Sequence, residues 1–208
     1  MWDKLCIHGP LAPVWSYASK WPFTMNCTVE IIKNRIIDLS SPTNEMITSS
    51  DDAACVEVDG EKLWLSKSKL GAASPFLSSL LNGKIKKAAT GSYALKEVRL
   101  NEFLHFVAII YGMDIQISKD SVEYLLRLGE MYQCETVLRQ CQLFLRYADS
   151  TSIAIEKKIL LADRFKFLFL LKTLAEKIPI DKLKVFLQSG EHVVLSEFAR
   201  DLFLDRLI

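Results

Sequence analysis

Catalytic equipment is what this sequence has least of. Its three histidines, His8, His105 and His192, fall in different regions, and no histidine or cysteine pair stands at metal-ligand spacing. His105 sits one turn after Asn101 and off the apolar stripe of its helix, which predicts an exposed side chain. The five cysteines (Cys6, Cys27, Cys55, Cys134 and Cys141) are odd in number and contain no CxxC pair. The expectation is free, mostly buried thiols in a reducing compartment. Gly83-Lys84 lacks the upstream glycine and the following Ser/Thr of a phosphate-binding loop. Ser74 stands in an Ala-Ala-Ser-Pro context rather than a G-x-S-x-G elbow. No periodicity brings Glu97, Glu102 and Asp114 together. These absences read as a chain that is not an enzyme and needs no cofactor and no metal.

Long apolar runs and one-sided charge are missing too. Nothing approaches the roughly 20 residues of a membrane span, and His8, Gly9, Pro10 and Pro13 interrupt any signal-peptide core. A formal net charge of +1 leaves no global field for nucleic acid or a membrane surface. Lys84, Lys86 and Lys87 crowd the loop from Asn82 to Ser92, but without interleaved aromatics they read as a solvated loop. The protein reads as cytoplasmic or nuclear.

What is present is apolar. Half of the 208 residues are hydrophobic and mean hydropathy is +0.16. A chain of this length buries around 70% of its unfolded surface, and the surplus of apolar side chains points to a surface covered by a partner. Residues 54–81 organise the rest. Asp59-Gly60 suits a two-residue type I′ turn. That turn sets Val58 against Glu61, Glu57 against Lys62, Val56 against Leu63 and Cys55 against Trp64. Ala54, Val56, Val58, Leu63 and Leu65 then share one apolar face. The period turns helical after Ser66, with Leu70 and Ala73 on one side. Ser74-Pro75 caps and opens a second helix striped with Phe76, Leu77, Leu80 and Leu81.

Upstream, residues 1–25 are rich in aromatics and prolines, and Cys27, Val29 and Ile31 alternate like a strand that turns at Lys33-Asn34 into a second one ending at Ile37 and Leu39. Residues 40–50 read as a polar linker. Downstream, Tyr93 to Val98 reads as a short strand. Asn101 caps a helix with Phe103, Phe106, Val107, Ile110 and Tyr111 inward, stopping at Gly112. Ser118 or Asp120 starts a helix burying Val122, Leu125, Leu126 and Gly129, and the next buries Val137, Leu138, Cys141, Phe144 and Leu145. This pair recurs 33 residues on, Gly129 aligning with Ala162 and Val137-Leu138 with Leu170-Leu171, which suggests two stacked helical hairpins. The unbroken apolar run Phe167–Leu171 predicts the central, most buried helix. Pro179 ends it, Leu183 and Phe186 mark another helix closed by Gly190, and Ser196 caps the last. The fold class is α+β: a small mixed sheet covered by helices, then an all-α extension.

The ordered set Val58-Asp59-Gly60, Lys62-Leu63, Lys67, Leu70 and Ser74-Pro75-Phe76, continued by Tyr93, Leu95, Val98, Phe103 and Ile110-Tyr111, resembles the BTB/POZ domain, in the style of the nematode proteins that join it to a MATH domain. Ser66-Lys67 stands where that family usually has His-Lys. The resemblance implies a BTB/POZ domain over 51–149. It also implies an N-terminal extension over 1–50 similar to the tail of a MATH domain, and a BACK-like helical extension over 150–208. It further implies a protein–protein interaction module that homodimerises, with Leu70, Ala72 and Phe76 at the interface. Two roles fit that module: substrate adaptor of a cullin-RING ubiquitin ligase, or self-associating scaffold with no ligase role. The cullin-docking positions are Ile85, Lys86, Lys87 and Tyr111. Lys87 stands where related adaptors carry glutamate. The implied partners are a second copy, a cullin and a protein substrate.

Overall fold

The computed structural model describes residues 4–6, 36–82 and 92–207. Two short strands, β1 (Lys4–Cys6) and β2 (Ile36–Asp38), pair antiparallel. The expected strand over 27–31 and its turn at 33–34 lie outside the described residues. A hairpin follows, β3 (Ala53–Val58) and β4 (Glu61–Ser66), in the anticipated register from Val58–Glu61 to Cys55–Trp64. Asp59 and Gly60 both take positive φ, 54° and 83°, as a type I′ turn requires. The inward face is Ala54, Val56, Val58, Leu63 and Leu65, all buried.

The third strand is shorter than expected. β5 (Tyr93–Leu95) runs parallel to β3, giving the order β4-β3-β5. It stops before Val98 because Glu97 turns to φ 61°, and Arg127 Nη1 holds that turn by donating to the Glu97 carbonyl at 3.1 Å. The outer edge of β4 is covered by a segment whose composition suggested only a linker. Trp64 N–H donates to the Leu39 carbonyl at 2.7 Å, and the buried Asn44 donates from Nδ2 to the Trp64 carbonyl at 2.9 Å. A covered edge is protected from stray strand pairing.

Helix α1 (Lys67–Ala73) is capped by Ser66, whose Oγ accepts from Lys69 N–H at 3.2 Å. Helix α2 (Pro75–Asn82) is capped by Ser74, whose Oγ accepts from Leu77 N–H at 2.9 Å and donates to the Tyr132 carbonyl. The expected cap at Asn101 is displaced. Helix α3 (Leu100–Ile110) begins two residues earlier, behind Arg99, with no side-chain cap, and Asn101 lies exposed in its first turn. Phe103, Phe106 and Val107 are fully buried. Helix α4 (Val122–Met131) also starts later than Ser118 or Asp120. Ser118 and Ser121 form a turn of their own, Ser118 N–H donating to Ser121 Oγ at 2.8 Å.

The 33-residue repeat is visible in the backbone. Helices α4 and α5 (Glu135–Tyr147) correspond to α6 (Ile155–Arg164) and α7 (Leu168–Lys177). Both turns place a non-glycine residue in the left-handed region, Gln133 at φ 50° and Lys166 at φ 56°. The closing bonds match: Cys134 N–H to the Gly129 carbonyl at 2.7 Å, and Phe167 N–H to the Ala162 carbonyl at 2.8 Å. The expectation for Phe167–Leu171 is corrected. Helix α7 is amphipathic, with Leu170, Leu171, Leu174 and Ala175 buried while Leu168 and Phe169 are 51% and 66% exposed.

Helix α8 (Ile180–Gln188) buries Leu183 and Phe186. Helix α9 (Glu197–Leu204) starts at Ser196, which caps Ala199 N–H at 3.2 Å and donates from its own N–H to Asp163 Oδ2 at 2.7 Å. The sheet, α1–α5 and the C-terminal helices share one continuous apolar core. Among the described residues no helix is long and apolar enough to cross a membrane.

Candidate interaction surface

The outer side of the α1–α2 pair is built on an aromatic stack. Tyr132, 3% exposed at the end of α4, packs against Phe106 at 5.4 Å and edge-on to Phe103 at 6.4 Å between centroids. Burial pushes its phenol up to about 12, against the nearby Arg127 charge. Phe76 lies on the outer side of this stack, 5.7 Å from the Tyr132 ring, and remains 41% exposed. An aromatic braced from beneath and open above is rigid before any partner arrives. Ala72 is exposed on α1, whereas Leu70 is 1% exposed and belongs to the core. Of the three residues expected at a dimer contact, two face outward and the third supports them. A Cβ at Gly71 would stand 3.4 Å from the Ser78 side chain, an ordinary contact distance.

Tyr111 ends α3 half-buried, its hydroxyl accepting from Ser66 N–H at 2.9 Å. Burial raises its pKa, with the Ser66 bond opposing. The same Ser66 caps α1 through its Oγ, a role that suits serine, while its bond to Tyr111 comes from the backbone and is open to any residue but proline. Asp52 completes this corner, its Oδ1 accepting from Ser68 N–H at 2.8 Å. Partial burial raises its pKa, but hydrogen bonds from Ser66, Ser68 and Thr48 outweigh that and hold it at about 2. Just beyond Tyr111 an apolar groove of about 590 Å³ runs between residues 112–117 and α5, with Met113, Ile115, Ile117, Leu143, Phe144 and Tyr147 among its walls. Residues 112–117 carry no helical or strand period, so sequence reading passed over them. Ile85, Lys86 and Lys87 lie outside the described residues.

One titratable group departs from its expectation, and two others are buried with partners. His105 is not exposed: its Nδ1 lies 2.7 Å from the Tyr124 hydroxyl, and Nε2 is buried without a hydrogen-bond partner. Burial lowers its pKa. Glu102, 2% exposed, is paired with Arg99 at 2.8 Å and with Arg127. Lys158, 7% exposed, donates to the Ala148 carbonyl. Cys55, Cys134 and Cys141 are buried free thiols, and burial pushes the Cys141 thiol up to about 12. Among the described residues no group of His, Cys, Asp or Glu is arranged to hold a metal.

The model of the BTB/POZ domain family matches residues 48–149. The chain is 26% identical over 152 residues to the Caenorhabditis elegans "BTB and MATH domain-containing protein 38", a stretch covering 73% of this chain and 39% of that protein. It is 26% identical over 90 residues to the Mus musculus "Kelch repeat and BTB domain-containing protein 4", covering 43% of this chain and 17% of that one. It thus spans well under half the length of either relative. Among solved structures, the BTB domain of human gigaxonin is similar at 20% identity and a TM-score of 0.38, covering 44% of this chain and 75% of that domain.

Proposed function

Residues 48–149 belong to the BTB/POZ family, and from that premise we propose that the chain is a protein–protein interaction module that homodimerises and serves as substrate adaptor of a cullin-RING ubiquitin ligase. The observation that carries the dimer is Phe76, 41% exposed on its Tyr132 support and four positions after the exposed Ala72. Interfaces draw most of their affinity from a few such rigid aromatics. Two copies of the same patch meeting about a two-fold axis would bury it.

The cullin is assigned to Tyr111, the groove beside it and the loop carrying Ile85, Lys86 and Lys87. That groove has the apolar walls a partner helix needs. One observation favours the scaffold reading instead. Lys87 offers only donors where related adaptors carry an acceptor. The test is a binding titration against a cullin N-terminal fragment, wild type beside Lys87→Glu. Restoring the acceptor should raise affinity by roughly tenfold. No detectable binding by either variant would leave the self-associating scaffold as the function. Equal, measurable affinities would mean that docking uses another surface.

A further inference from the structure

A second groove lies where α5 meets α6 and α7, adjoining the groove after Tyr111 at Tyr147. The end of α5, the start of α6 and the side of α7 enclose a groove of about 410 Å³. Every charged side chain lining it is a cation: Arg146, Lys158 and Lys177. Asp149 holds its own turn, Oδ1 accepting from Ser152 N–H at 2.7 Å and from Thr151 Oγ1 at 2.7 Å, and its charge also acts on Lys158. Lys158 is 93% buried in the wall, and its ammonium donates to the Ala148 carbonyl. Burial lowers its pKa; the Asp149 charge opposes that shift and the Lys177 charge adds to it. Three cations against the single carboxylate of Asp149 leave the groove net positive, which suits an entering negative group.

The rim supplies the rest of the recognition. Tyr147 and Phe169 are 67% and 66% exposed, and the Arg146 guanidinium lies between them, 5.5 Å and 5.6 Å from their ring centroids. Two open aromatic faces at the mouth of a cationic groove match a chain that alternates carboxylates with aromatic or apolar side chains. We propose that this groove binds an acidic, aromatic-bearing peptide segment of a partner protein, a carboxylate entering towards Lys158 and Lys177 while a neighbouring side chain stacks on Tyr147 or Phe169. A polynucleotide fits less well: the cations occupy one confined groove rather than a stripe, and the net charge of the chain is only +1.

The test is fluorescence anisotropy with the full chain and a labelled peptide of repeating glutamate and phenylalanine, beside a counterpart with lysine for glutamate. The expected result is saturable binding of the acidic peptide alone. It should weaken with salt and by at least roughly tenfold in the double variant Arg146→Glu, Lys177→Glu. Lys177 is exposed and Arg146 lies at the rim, so folding should survive, with circular dichroism as the check. A conservative pair, Arg146→Lys with Lys177→Arg, should retain most of the binding. Equal binding of both peptides, or unchanged affinity in the reversed variant, would overturn the proposal. So would displacement of the peptide by inorganic phosphate or single-stranded RNA at lower concentration than by unlabelled peptide.

Discussion

Gly60 is the position where one residue decides most. It sits at φ 83° in the turn that fixes the register of β3 and β4, and nothing lies within 4 Å of where its Cβ would be. Any loss on substitution is therefore backbone strain rather than collision. Gly60→Val should cost about 1–3 kcal/mol, read as a lower urea midpoint with an unchanged slope. An unchanged midpoint would show that the turn relaxes at no cost. His105 makes a separate prediction. Its pKa in the folded chain lies below the ordinary 6.5, so the unfolded chain takes up the proton first as pH falls. Its contribution should be level above pH 6.5 and be lost progressively below it. In thermal melts from about pH 8 to pH 5, His105→Gln should flatten part of the acid-side decline. A profile of identical shape would place the titration elsewhere.

At the scale of elements, α4 and α5 cross on Gly129. A Cβ there would meet Leu138 Cδ2 at 2.9 Å and Cγ at 3.1 Å. The equivalent position in the second hairpin is Ala162, which is fully buried with its methyl accommodated. Gly129→Ala should therefore destabilise by about 1 kcal/mol, the overpacking exceeding the gain in helix propensity. A gain measured by denaturant titration would mean that Leu138 swings aside. The hairpin register, the two serine caps, the strand–helix order and the 33-residue repeat were legible because each follows from local rules: turn chemistry, side-chain alternation and helical period. What the sequence hid was set by distant partners. Glu97 ends β5 through a bond from Arg127, thirty positions away. The edge of β4 is covered by the Leu39 carbonyl and the Asn44 side chain, pairings that composition does not reveal. His105 is drawn in by Tyr124 of the next helix. The run Phe167–Leu171 looked buried throughout, yet its hairpin covers one face of α7 and leaves Phe169 open. Of the candidate surface, Phe76 and Tyr111 were named from their places in a motif, and what the structure adds is the exposure of Phe76 and Ala72. The apolar groove beside Tyr111 was not legible, because its walls come from a loop and a helix far apart in sequence.

For the molecule as a whole, the apolar surplus read from composition has a physical location. The sheet and the helix faces toward it are buried, while Phe76, Tyr147, Leu168 and Phe169 are left outside. A chain with net charge +1 and open aromatics has little electrostatic repulsion to keep it apart from its own copies. The central claim is that Phe76 and Ala72 form a self-complementary contact. Its most direct test is the mass in solution by light scattering at micromolar concentration. The account predicts twice the 23.7 kDa of one chain, falling to the single-chain mass in a folded Phe76→Asp variant. A wild-type mass of 23.7 kDa at that concentration, or a dimer indifferent to Phe76→Asp, would contradict it.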